Sequence, residues 1–569
     1  MRYCSKKDLV MIHPSEEKTF NAVLENSIKT NWDRDALTDY QGATLQYKDV
    51  ARKIAKLHIL FETTGIKQGD KIAICGRNSS NWGVAFLATV TYGAVAVPIL
   101  HEFKPDQIHN TVNHSDAKLL FAGDWIWPNL DEKEMPNLEG VIAIADYTIL
   151  VSRSESFTYA CEHLNELFGK KYPSKFRSEN VSYLQADPDQ LAVINYTSGT
   201  TGFSKGVMIP YRALWSNVIF AFQVLGHSVK EGSPVVSMLP MAHMYGMAFE
   251  FLFEICAGAH VYFLTRVPSP QILLGAFSEI KPHVIIAVPL IIEKIVKKAV
   301  LPKLQTASMK ILLNLPIVSQ RIRNMVKERM REVFGGAYYE VIIGGAAFNP
   351  EIDNFLSEIG FDYTVGYGAT ECAPIVCYED WKNFKSGSCG KAAPRMEVRI
   401  DSKDPQNEVG EILARDTNVM LGYYKNPEAT ASTIDADGWY HTGELGIMDA
   451  EGNVFIKGRC KNMLLGSNGQ NIYPEEIESR LDNMNLVSES IVIQKGDKLY
   501  ALIHPDYEAV KALGLNEDDI KEVMGDNIKQ LNTVVAAYEK VAGFKIWEDE
   551  FEKTAKKSIK TYLYTDAEI

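Results

Sequence analysis

LAVINYTSGTTGFSKGVM (residues 191–208) joins an apolar run to a loop built of glycine, serine and threonine. The run reads as a buried strand, because strands covered on both faces lose their polar alternation. The loop interleaves hydroxyl donors with glycines that let backbone N–H groups come close, which is what holding a phosphate requires. Lys205 adds a mobile positive charge. This is not a Walker A loop, which needs glycine immediately before the lysine, where Ser204 stands. The alternative reading of the same residues is a plain turn between a strand and a helix.

KIAICG (71–76), AVAVPIL (94–100), KLLFAG (118–123), HVIIAV (283–288) and EVIIGG (340–345) are further apolar runs of strand length. LQYKDVARKIAKLHILFETTG (45–65) instead repeats its apolar residues at helical spacing and ends in glycine. Strands alternating with helices predict an α/β fold of parallel sheets layered with helices. After GEILAR (410–415) the strands shorten, and beyond Arg459 a small unit of about one hundred residues begins anew. A chain of 569 residues is too long for one hydrophobic core.

Composition excludes several classes. With 59 Lys plus Arg against 72 Asp plus Glu, the net charge of −13 argues against a broad nucleic-acid surface. None of the eight cysteines lies at the two-residue spacing of a zinc or redox motif, so they read as small buried apolar groups of a reducing compartment. MRYCSKKDLV has no apolar run of a signal peptide, and DAEI carries no prenylation signal. The most apolar region, 235–264, is interrupted by His243, Glu250 and Glu254, which argues against a membrane span. A soluble, cytoplasmic protein is expected.

Three further stretches bear on the loop. TVGYGATECAP (364–374) offers the aromatic face of Tyr367, the Thr370 hydroxyl and the Glu371 carboxylate, which suits Mg²⁺, a cation that takes few carboxylates plus substrate oxygens. GWYHTGELG (438–446) puts Glu444 on a glycine-flanked turn, a fit for paired sugar hydroxyls, and GGAAFNPE (344–351) is a glycine-rich strand end. In this order and combination the motifs resemble the adenylate-forming (AMP-binding) superfamily, which holds acyl-CoA synthetases, firefly luciferase and peptide-synthetase adenylation domains. The resemblance is loose from about residue 20 to 190 and tight from about 190 to 480. Ser204 stands where proline is usual and Glu444 where aspartate is the rule.

The resemblance implies a large N-terminal domain with a small β-barrel-like subdomain over 1–458, a hinge at 459–461 centred on Lys461, and a mobile α+β C-terminal domain over 462–569. It implies the substrates ATP and coenzyme A, with Mg²⁺. Thr197, Ser198, Gly199, Thr200, Thr201, Gly202 and Lys205 would bind the ATP phosphates, and Glu371 the metal. Gly345, Ala346, Ala347, Gly366, Tyr367 and Gly368 would form the adenine site, with Thr370 at the AMP phosphate and Glu444 with Arg459 at the ribose. His243, in LPMAHMYG, would stand between acyl pocket and thiol tunnel; its alternative is a core histidine satisfied by a hydrogen bond. Gly466, Ser467, Asn468 and Gly469 would let the backbone approach coenzyme A, or simply make a turn.

The family closes its site with a C-terminal lysine, but FEKTAKKSIKTYLY (551–564) carries Ser558 at the expected position and Thr561 where arginine is usual. Lys557, one residue earlier, or Lys560, two residues later, would take its place. The acid is expected to be a fatty acid of long chain: MYGMAFEFLF (244–253) contains no aspartate to pair an amino group and supplies a methionine- and phenylalanine-rich wall. The stretch 294–335 also resembles long-chain fatty acyl-CoA synthetases. Its part SQRIRNMVKERMREVF (319–334) sets Ile322, Met325, Val326, Met330 and Val333 on one helical face, with basic residues around it. That segment reads as a packed surface helix, with peripheral contact to anionic lipid at the inner membrane surface through 321–331 as the other reading. The rival functions are a ligase for an aryl or shorter-chain acid, and an acyl- or nucleotide-binding relative without turnover.

Overall fold

The computed structural model of the chain describes residues 19–197, 205–266, 269–297, 316–465, 470–553 and 559–569. An eight-stranded sheet is its largest element, in the spatial order Gly422–Tyr423, Lys205–Pro210, Leu191–Thr197, Val95–Ile99, Lys71–Cys75, Ala117–Ala122, Gly140–Ala143, Ile149–Ser152. Its five central strands run parallel, and the outer ones are antiparallel. Four of the six runs read as strands from the sequence lie here, all deeply buried. The other two, Ile285–Ala287 and Val341–Ile343, form a second parallel sheet with Tyr363–Val365.

Helices cover these sheets. Tyr47–Thr64 starts where the Gln46 N–H donates to Asp49 and stops at Gly65 in the left-handed conformation. It buries Ile54, Leu57, Leu60 and Phe61, each worth about 1.5–3 kcal/mol against exposure. Where a small β-barrel-like subdomain is expected, the chain forms a four-stranded antiparallel sheet of Met396–Asp401, Gly410–Asp416, Tyr440–Met448 and Val454–Arg459, whose edge strands do not pair with each other. GEILAR is thus already inside it. Beyond it, Ile472, Leu481, Ala501, Met524 and Leu531 belong to a hydrophobic cluster of their own, built on the sheet of Val487–Lys495, Lys498–Pro505 and Val541–Ile546.

The basic helix is Pro316–Val333. Ile322 and Met330 are buried as read, but Met325 is 68% exposed and leaves the assigned face. Its orientation follows from the next turns: Lys327 donates to Asp362 at 2.7 Å and Arg331 pairs with the same buried carboxylate, rotating that side of the helix onto the sheet. Most of the preceding stretch, 298–315, lies outside the described residues. No described helix is long and apolar enough to cross a membrane.

Candidate active site

The strand Leu191–Thr197 turns back antiparallel into Lys205–Pro210, with Thr197 paired to Lys205, so residues 198–204 join two strands and not a strand to a helix. Ser198, Gly199, Thr200, Thr201 and Gly202 lie outside the described residues, but the two ends of their loop are fixed. Gly206 is required there, because a Cβ would come within 2.9 Å of Ile194 and 3.1 Å of the Tyr196 ring. The next turn of structure is anchored from the same strand: buried Asn195 donates to the Ala242 carbonyl at 2.8 Å, one residue before His243.

His243 caps the helix Met244–Met247, and its Nδ1 accepts the Tyr245 N–H at 3.3 Å. A neutral ring used this way carries its proton on Nε2. Residues 244–256 are buried throughout and pass through a π-helical turn at Ala248–Leu252. Glu250 is fully buried there, and its Oε2 accepts the N–H groups of Met238 and Leu239 at 3.0 and 2.8 Å. It therefore braces the turn that delivers His243. One turn on, Glu254 is buried with neither carboxyl oxygen hydrogen-bonded among the described residues, and burial pushes its pKa up to about 8.

The adenine-motif residues stand at the carboxyl ends of adjacent parallel strands, Ile343 being in register with Val365, the usual place for ligands in open α/β sheets. Gly345, at φ 89°, turns the chain outward, and Gly345, Ala346, Ala347 and Gly368 are exposed. Tyr367 is 6% exposed, so its ring is core packing more than an open face. Burial, then the nearby Glu444 carboxylate, raise its pKa well above the usual value. Thr370 is buried in the short turn Thr370–Cys372 that carries Glu371. Glu444 and Arg459 face each other across antiparallel strands, with Nε and Oε1 3.7 Å apart.

One residue passed over in the sequence joins these parts. Tyr423 lies on the edge strand Gly422–Tyr423, paired with Met208 and Val207. Its hydroxyl donates to Glu371 Oε1 at 2.9 Å, and the Lys205 ammonium lies over its ring, 4.7 Å from the centroid. The Met420 N–H donates to the Glu371 carbonyl at 2.8 Å, fixing the same turn from its backbone side.

Lys461 is exposed and stands two residues beyond the end of the strand Val454–Arg459. Residues 466–470 join Leu464–Leu465 to Asn471–Ile472; Gly466, Ser467, Asn468 and Gly469 among them lie outside the described residues. So does Lys557. A bridge pairs Lys553 with Ile559, on either side of residues 554–558 in the chain. Lys560 is held beside it: its N–H donates to the Glu552 carbonyl at 2.8 Å and its ammonium pairs with the Glu552 carboxylate.

A single carboxylate, held at Glu371 by the Tyr423 hydroxyl, fits a Mg²⁺ that takes its remaining ligands from phosphates and water. Among the described residues no cluster of three or more metal-ligating side chains forms an all-protein cage.

The AMP-binding enzyme family matches residues 24–424. The chain belongs to that family. It is 27% identical to a probable chloroplastic acyl-activating enzyme 16 of Arabidopsis thaliana, over 87% of this chain and 78% of that one. It is 25% identical to the long-chain-fatty-acid–CoA ligase FadD15 of Mycobacterium bovis, over 88% and 86%. Among solved structures, the anthranilate CoA ligase AuaEII in complex with anthranoyl-AMP superposes with a TM-score of 0.76 at 20% identity, covering 97% of both chains.

Proposed function

We propose that this protein is an AMP-forming acid–CoA ligase whose acid is a long-chain fatty acid. The observation that supports it best is the convergence of Lys205 and Glu371 on Tyr423, at the strand end that follows residues 198–204 in the chain. The fatty acyl specificity rests on the apolar, fully buried run 244–253, where Met244, Met247, Phe249 and Phe251 give an adaptable wall. The domain division at 458 and the hinge at Lys461 are part of the same proposal.

In the first half-reaction a fatty carboxylate attacks the α-phosphate of ATP, giving acyl-AMP and pyrophosphate. Two anions must meet, so positive charge and fixed donors at the developing charge matter most. Thr197, the 198–202 loop and Lys205 hold the departing phosphates, while Thr370 donates at the α-phosphate. Mg²⁺ held by Glu371 would neutralise phosphate oxygens. Glu444, oriented by Arg459, accepts from the ribose hydroxyls. Lys557 enters with the C-terminal unit to bridge carboxylate and phosphate. Lys560 suits that role less, being already committed to Glu552.

In the second half-reaction the C-terminal unit turns about Lys461 and the 466–469 loop meets coenzyme A, whose thiol attacks the acyl carbon and releases AMP. His243, whose Nδ1 is taken up by the Tyr245 N–H, is proposed to lie between the acyl pocket and the path of the thiol. The test is a panel of carboxylates with ATP, Mg²⁺ and coenzyme A, read for AMP and acyl-CoA together. Long-chain acids are expected to lead. Turnover confined to aryl or short acids would replace the substrate, and ATP binding without AMP from any acid would remove the activity.

A further inference from the structure

Lys205 and Glu371 bring opposite charges to the same tyrosine, and a direct ion pair between them would neutralise both. Tyr423 occupies the ground between them, taking the ammonium on its ring face at 4.7 Å and the carboxylate at its hydroxyl at 2.9 Å. We propose that Tyr423 is a positioning residue that holds the Glu371 carboxylate for a divalent cation and the Lys205 ammonium for phosphate, and keeps the two from pairing. The inference rests on the ligase reading above and adds a residue to it.

The side chain is itself held from several directions. Its strand pairs with Val207 and Met208, on the same strand as Lys205 and two and three residues beyond it, so the ring moves with the lysine's backbone. The Tyr423 N–H donates to Thr430 Oγ1 at 2.9 Å, and the Leu421 and Tyr424 N–H groups donate to Met208 and Gly206 carbonyls at 2.9 and 2.7 Å. Beyond it, the Tyr424 hydroxyl and the Lys425 ammonium both reach Asp116, at 2.9 and 2.8 Å. A segment braced this firmly can set the angle of a carboxylate. The ring face meanwhile attracts an ammonium without neutralising it.

Tyr423→Phe removes the hydroxyl and keeps the ring; Tyr423→Leu removes both. Mn²⁺ binding to the protein–ATP complex, followed by electron paramagnetic resonance, reads the carboxylate without turnover. Tyr423→Phe is expected to weaken Mn²⁺ by roughly tenfold, the size usual for losing a group that orients a metal ligand. Its ATP–pyrophosphate exchange should recover at high Mg²⁺, with thioester formation from preformed acyl-AMP and the melting temperature unchanged. Tyr423→Leu should in addition raise KM for ATP at saturating Mg²⁺. Unchanged Mn²⁺ binding in Tyr423→Phe overturns the inference alone. Loss of both half-reactions with a lowered melting temperature also overturns it, since that describes a merely structural ring. Wild-type protein that binds no Mn²⁺ with ATP overturns the inference and the ligase reading together.

Discussion

Glu444 and Arg459 stand opposite each other in neighbouring antiparallel strands, with the guanidinium Nε 3.7 Å from the carboxylate and half of the arginine side chain exposed. The geometry leaves the carboxylate oriented yet not buried under its partner, which is compatible with the ribose-accepting role proposed for it. Glu444→Ala is expected to raise KM for ATP by roughly 10- to 100-fold, because hydrogen bonds to a charged group are worth about 1.5–3 kcal/mol and about 1.4 kcal/mol is a factor of ten. Steady-state kinetics in ATP at fixed acid and coenzyme A check this. A change in kcat with KM for ATP untouched would move Glu444 out of the ribose site.

Lys557 and Lys560 can be separated by half-reaction. Lys560 is tied to Glu552 through both backbone and side chain, so releasing it requires breaking that pair. Lys557→Ala should cut acyl-adenylate formation by orders of magnitude and leave thioester formation from preformed adenylate nearly intact. Lys560→Ala should leave both within a few-fold of wild type. Single-turnover measurements of each half-reaction decide it, and the reverse pattern would give the role to Lys560.

The buried Glu254 makes stability depend on pH in a definite direction. Burial raises its pKa to about 8 in the fold, against about 4.3 in an unfolded chain. The fold holds a proton there that the unfolded chain has lost, so stability falls as pH rises through this window and levels off above about 8. The slope from one such group is at most about 1.4 kcal/mol per pH unit. Glu340 is pushed to about 8 as well, so the informative quantity is the difference between wild type and Glu254→Gln. Melting temperatures from pH 5 to 8.5 should favour the glutamine variant increasingly towards the alkaline end. Parallel curves would mean Glu254 is charged throughout.

The parts legible in the sequence are those in which a local pattern carries its own physics. The apolar runs at 71–75, 95–99 and 117–122 read as covered strands from their length and composition, and the family was legible from motifs whose residues lie close together in sequence. Tyr423 was not legible, because its role depends on the register of a two-residue edge strand and on a partner at Glu371 that only the fold brings near. Met325 was misplaced for a similar reason. Helical spacing fixed the stripe, but the ion pairs to Asp362 decided which part of it faces the sheet.

That same helix gives the last prediction. Two of its cations, Lys327 and Arg331, converge on Asp362, whose side chain is only 4% exposed, while Arg323 approaches Glu358 at 3.7 Å and Arg329 pairs with Glu332 at 2.8 Å. The charges nearest the sheet therefore hold the helix against the protein, which supports the packed reading over contact with lipid. Replacing Asp362 by alanine strands two partly buried cations, a change that typically costs a few kcal/mol. Asp362→Ala should accordingly lower the melting temperature by several degrees, with Lys327→Ala doing less because Arg331 still satisfies the carboxylate. Binding to anionic vesicles at low salt should be weak in wild type and unaltered by Lys327→Ala. Strong vesicle binding that Arg321→Ala and Arg329→Ala abolish, with melting temperature unmoved, would instead make this face a membrane contact.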